Sequence, residues 1–208
     1  MCMKTAILIA VLVATPRIAA AQCPDNGADH GRHAVKTRSA PSPFPSVDAI
    51  EVADVIKFLV PHVGTISDTA LVGTEERQIL HVRAFVRLFK CEADADYHLE
   101  IADSGAANAR RIIVEASETE PAVRSRLEAM LGGAPSKKGR PFDGVKAVPI
   151  ELWGWRFLDL DHQSALVDSK THRRRTMAQL KKGHAHGSAR VGTLWEVHPI
   201  LRVEPWTP

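Results

Sequence analysis

Three features of the sequence predict a mainly β fold, an OB-like five-stranded barrel with one helix between strands three and four. Segments rich in β-branched and aromatic residues alternate apolar and polar positions from Gln78 onward. One stretch, 118–133, breaks that period and repeats its apolar residues at helical spacing. The resulting order, three strands, a helix and two more strands, is that of the OB-fold, a partly open Greek-key barrel. Long strands without regular helix alternation argue against a doubly wound parallel sheet. A five-stranded α+β sheet of another topology is the competing arrangement.

The chain has 208 residues, room for one domain with tails. Its 45% hydrophobic and 25% charged residues are ordinary soluble values and support neither a mostly disordered chain nor a multi-span membrane protein. With 27 Lys+Arg against 24 Asp+Glu, the net charge of +3 points to no partner by itself. Residues 1–21 read as a signal peptide: a basic start at Met1 to Lys4, an apolar run from Thr5 to Thr15, and small residues at Ala19 to Ala21. The apolar run is far shorter than the ~20 residues of a membrane span. No transmembrane anchor is therefore expected after processing, and the destination is the periplasm or the medium. Cleavage also removes Cys2, leaving Cys23 and Cys91. An even pair in an oxidising compartment suggests one disulfide, with two unpaired thiols as the alternative.

Residues 22–46 are Pro, Gly, Ser and charge without apolar period, and read as a disordered lead-in. Residues 47–77 read as a short helix or linker, the stretch VDAIEVADVIKFLV opening after Ser46 and stopping at Pro61, although its β-branched content keeps a strand open. The run QILHVRAFVRLFK is the first long strand, CEADAD a polar turn, YHLEIAD the second strand and RRIIVEA the third. In the helix that follows, Pro121 suits the first turn, Val123, Leu127, Met130 and Leu131 share a face, and Gly132 and Gly133 end it. VKAVPIELWGWRFLDL is a fourth strand bent at Gly154, and TLWEVHPILRVE is the fifth. The OB-like domain thus spans 78–204, with a basic insertion at 164–190.

Side chains alternate with period two along a strand. Trp195, Val197, Pro199, Leu201 and Val203 therefore share the core face of the last strand, and Glu196, His198, Arg202 and Glu204 face out. The same parity turns Leu99 inward and His98 outward, and Ile112 and Val114 inward and Glu115 outward. In an OB-fold the third strand lies between the second and the fifth, so His98, Glu115, Glu196 and His198 would neighbour one another on one outer surface. Strands about 4.8 Å apart let such side chains converge on one ion. Two imidazoles with two carboxylates suit zinc or manganese; a solvated charged face is the plain alternative.

The pieces DADYHLEIAD, RRIIVEA, RFLDLDH and LWEVHPILRV resemble an uncharacterised family of bacterial exported proteins that carry D-Y-H-L, I-V-E, F-x-D-x-x-H and E-x-H-P blocks in this order. The likeness covers about residues 78–204. Matched block by block, it implies Asp96 and His98, then Glu115, then Asp159 and His162, then Glu196 and His198 as site residues. The segment between His162 and the last strand is much longer here than in that pattern.

On the catalytic reading, His98, Glu115 and His198 hold the ion, Glu196 activates water, and Asp159 or His162 protonates the leaving group or orients a ligand. That describes a metal-dependent phosphodiesterase or nuclease. Its rival is a non-catalytic module of the cell envelope that binds nucleic acid or another polyanion. The insertion would carry the second reading: Lys170, Arg173, Arg174, Arg175, Lys181, Lys182 and Arg190 oppose only Asp168. A solvated charge run is its plain alternative. The sequence has no Gly-rich phosphate loop, no G-x-S-x-G and no H-E-x-x-H. Trp153, Trp155 and Trp195 are candidates for a stacking platform, with core or rim packing as the default.

Overall fold

The computed structural model describes Cys23, residues 31–160 apart from 62, 64, 65 and 68, and residues 191–208. The expected signal peptide 1–21, the insertion 164–190 with Arg173, Arg174, Arg175, Lys181 and Lys182, and His162 lie outside the described residues. The strands are β1 (Ala49–Glu51), β2 (Ile79–Cys91), β3 (Tyr97–Ala102), β4 (Arg111–Ala116), β5 (Arg140–Pro141), β6 (Val148–Leu158) and β7 (Trp195–Pro205). The helices are α1 (His33–Lys36), α2 (Val52–Lys57) and α3 (Pro121–Leu131).

Five of the strands close into the predicted barrel. Neighbours run β2-β3-β4-β7-β6, and β6 pairs back onto β2. All these pairings are antiparallel except β4 with β7, which is parallel. This is the order expected of an OB-fold, with α3 between the third and fourth barrel strands. Leu80, Val82, Leu99, Ile101, Ile112, Val114, Ile150 and Leu152 fill the interior, as period two requires. Val123, Leu127 and Leu131 of α3 join the same core, and Gly132 ends the helix at φ 78°.

Register shifts in two strands alter the expected parity. In β2 the register shifts between Val86 and Leu88, so the core positions move from Leu80, Val82, Ala84 and Val86 to Phe89 and Cys91. The residue at the shift, Arg87, is buried, and its guanidinium donates to the carbonyls of Phe142, Ser104 and Ala106 and to Asp143. In β7 the expectation that Leu201 points inward is corrected: it is only half-buried. The pairing with β6 slips around Gly154, and Ile200 takes the core position between Val197 and Val203.

Gly154 makes that slip possible. A Cβ there would stand 2.4 Å from Val197 Cγ1 and 2.5 Å from the Pro199 carbonyl oxygen. Gly154→Ala is accordingly expected to cost about 1–3 kcal/mol through overpacking. Urea unfolding of the variant beside the parent checks it, and an unchanged midpoint would mean that the strands part freely here.

The N-terminal stretch departs from the sequence expectation twice. Residues 31–46, expected as part of a disordered lead-in, lie against the barrel, with Val35 and Arg32 buried. The cause is a pair of long-range contacts that composition does not reveal. Arg32 donates from Nη1 to Glu76 Oε1 and the Leu158 carbonyl, each at 2.9 Å, and from Nη2 to the Ala70 carbonyl at 2.9 Å and Glu76 Oε2 at 2.5 Å. A disulfide joins Cys23 to Cys91, with the Cα atoms 5.5 Å apart. Further on, the expected helix opening at Ser46 is replaced by the short strand β1. Its last residue, Glu51, caps α2 in a reciprocal box with Asp54.

Candidate metal centre

The outer faces of β3, β4 and β7 carry His98, Glu115, Glu196 and His198, and the structure brings all of them together. His98 lies opposite Glu115 across the β3–β4 pair. Glu196 lies opposite Phe157 across β6–β7, and Val114 beside Val197 sets β4 against β7. Asp159, just past the end of β6, is within electrostatic reach of Glu196.

The face is not the solvated surface that the sequence suggests. His98, Glu115, Glu196 and Asp159 are all buried, and His198 is 0% exposed. The N-terminal stretch supplies part of the cover. Lys36 of α1 places its Nζ 3.6 Å from Asp94 Oδ2, and the Lys36 and Arg32 cations lie over the Phe157 ring at 5.9 and 4.9 Å. Phe157 in turn meets the His198 ring edge-on, centroids 5.4 Å apart.

Glu115 is the hub. Its Oε1 accepts a hydrogen bond from His98 Nδ1 at 2.9 Å, while its Oε2 lies 3.0 Å from His198 Nδ1. His98 Nδ1 also lies 3.0 Å from Glu92 Oε1, and His198 Nε2 lies 3.0 Å from Asp96 Oδ2. His198 is thus held between two carboxylates, one on each ring nitrogen.

The electrostatics follow from burial and the packing of carboxylates around the two rings. Burial alone would lower the His198 pKa, but Glu115 and Asp96 outweigh it and hold the imidazolium up to about 9. His98 behaves alike: burial opposes its charge, and hydrogen bonds to Glu115 and Glu92 raise it to about 9. Burial would raise the Glu115 carboxyl, yet the two imidazoles hold it well below the usual carboxylate range. Glu196 goes the other way. Burial, with Asp159 and Glu115 nearby, pushes it well above that range.

Two sets of ligand atoms fall within 4.8 Å of one another among the described residues: Asp96, Glu115 and His198, and Glu92, His98 and Glu115. Comparison with protein-family models, with curated proteins and with solved structures finds no match to this chain. The centre is therefore read from its own donors. An imidazole with two carboxylates is a mixed nitrogen and oxygen set of the kind that holds zinc or manganese.

Glu92, Asp94 and Lys36 are the members that sequence reasoning missed. The run CEADAD spaces Glu92, Asp94 and Asp96 by two, which places three carboxylates in one short turn after β2. That spacing was a usable signal. Lys36 gave none, because its stretch shows no periodicity and its partners lie far along the chain. The three candidate tryptophans are engaged in packing contacts. Trp153 stacks on His81 at 3.9 Å, Arg38 lies over Trp155 at 4.8 Å, and Trp195 is buried under Arg156 at 3.8 Å.

Proposed function

We propose that this OB-like domain binds a divalent cation, zinc or manganese, through Asp96, Glu115 and His198. The observation that carries the reading is His198: a fully buried imidazole with a carboxylate oxygen 3.0 Å from each ring nitrogen, grouped with Asp96 and Glu115 closely enough to share one ion. Asp96 and Glu115 stand where an ion would accept lone pairs from all three side chains, the ion displacing the His198 proton to solvent as it binds. The block resemblance supports the same grouping, since Asp96, Glu115 and His198 are among the seven residues that its motifs select.

The activity we assign to the centre is metal-assisted hydrolysis of a phosphodiester. Three protein ligands leave coordination positions for water and a substrate oxygen. The Lys36 ammonium stands beside the carboxylates, where it can offset phosphate charge. Because α1 covers part of the cluster, small phosphodiesters are better first substrates than polymers. Export to an oxidising compartment is supported by the N-terminal signal pattern and by the Cys23–Cys91 bridge. The polyanion-binding reading rests on the insertion alone, and the described cluster, rich in carboxylates, repels phosphate when no cation is present. Among the described residues no helix is long and apolar enough to cross a membrane.

Zinc titration of chelator-stripped protein, followed by calorimetry and by turnover of bis(p-nitrophenyl) phosphate, tests the proposal. Binding in the parent should weaken at least tenfold in Asp96→Asn, which keeps the side-chain shape, and turnover should require the metal. Equal zinc affinity in parent and variant would overturn the site; metal binding without turnover would overturn the hydrolytic activity alone.

A further inference from the structure

The two ligand sets share one residue, and that residue uses a different oxygen for each. Glu115 turns Oε1 to His98 Nδ1 at 2.9 Å and Oε2 to His198 Nδ1 at 3.0 Å. Each imidazole then meets a second carboxylate of its own at 3.0 Å, Glu92 for His98 and Asp96 for His198. The arrangement runs carboxylate, imidazole, central carboxylate, imidazole, carboxylate. A set built for one ion would gather its donors around a single point. Here the donors form two groups on either side of the Glu115 carboxyl.

We propose that the centre takes a pair of divalent cations, with Glu115 as the bridging carboxylate, Asp96 and His198 completing one position and Glu92 and His98 the other. This rests on the metal-binding reading of Asp96, Glu115 and His198 and extends it by a second position. A carboxylate bridging two ions holds them roughly 3.5–4 Å apart, the separation at which a metal pair can clamp the attacking and leaving oxygens of a phosphoryl group. The two positions differ in access. Glu92 keeps 33% of its side chain exposed, whereas Asp96 keeps 8% and His198 none. The Glu92 and His98 position is thus the one through which ions exchange with solvent, and it should fill last and empty first.

Zinc per chain after dialysis, measured on the full mature chain, decides the stoichiometry, and the electron spin resonance of bound manganese decides the bridge. Two zinc ions per chain are expected in the parent and one each in Glu92→Gln and Asp96→Asn. Manganese should give an exchange-coupled spectrum in the parent and an isolated six-line spectrum in either variant. Glu92 lies in a partly exposed turn, so Glu92→Gln is the variant least able to disturb folding, and circular dichroism melts accompany both. One zinc per chain in the parent, kept in Glu92→Gln and weakened in Asp96→Asn, would overturn the pair while leaving the single site intact. No zinc retained would overturn both. Two zinc ions still held by both variants would place them elsewhere, and uncoupled manganese in a doubly loaded parent would remove Glu115 as the bridge.

Discussion

Glu76→Ala is expected to destabilise the protein by about 3–5 kcal/mol, the usual cost of removing one partner from a buried ion pair. Glu76 is 0% exposed and sits in a 3-10 turn just before β2. Its carboxylate accepts from both Arg32 terminal nitrogens, from Val72 N at 2.5 Å and from Leu158 N at 2.8 Å. Alanine would leave the buried Arg32 guanidinium without its counter-charge and two backbone N–H groups without an acceptor. The loss is also directional. Arg32 precedes α1, so releasing it loosens the stretch that carries Lys36 over the metal centre. Trypsin should then cut after Lys36 and Arg38 at rates that the parent does not show, and urea unfolding should give the free-energy loss. A cost below about 1 kcal/mol with unchanged proteolysis would mean that the disulfide and Arg38 hold the stretch without Glu76.

The barrel was legible in the sequence because each strand announces itself locally. Alternation in 78–91, 97–102 and 111–116 needs no knowledge of what the other strands do, and the helical period of 121–131 separates cleanly from it. The outward set was legible for the same reason, since β3 and β4 keep period two without interruption. What failed was non-local. The slip of β7 past Gly154 inserts residues into the pairing, so parity counted from Trp195 misses Ile200 and misplaces Leu201. Burial of the outer face was invisible too, because part of its cover is a stretch of low apolar content fixed by one arginine, one glutamate and a disulfide. Polar parity told which residues share a face; it could not tell whether water or chain lay above them.

Lys36→Met is expected to destabilise the metal-free protein by about 3–5 kcal/mol while tightening zinc binding by roughly tenfold or more. The opposite signs come from one charge. Burial by itself would lower the Lys36 pKa, but Glu115, Asp94, Glu196 and Asp159 outweigh it and raise it above its ordinary value. A lysine raised in this way contributes stability that is fully present below its unfolded pKa and is lost only as pH rises through the folded one. At neutral pH the contribution is therefore complete, and methionine forfeits it while keeping an apolar stem against Phe157. An incoming divalent ion meets the reverse situation. It must enter a cluster where an ammonium already answers the carboxylates, and at an effective dielectric of about 20 two unit charges 4 Å apart interact by about 4 kcal/mol. Removing the ammonium removes that repulsion, so zinc should restore to the variant much of the stability that the substitution takes away. Melting curves with chelator and with zinc, together with a competition titration against a zinc indicator, give both signs. Weaker zinc binding in Lys36→Met would show instead that the lysine positions the ligand carboxylates, and the picture of a resident cation that competes with the metal would be wrong.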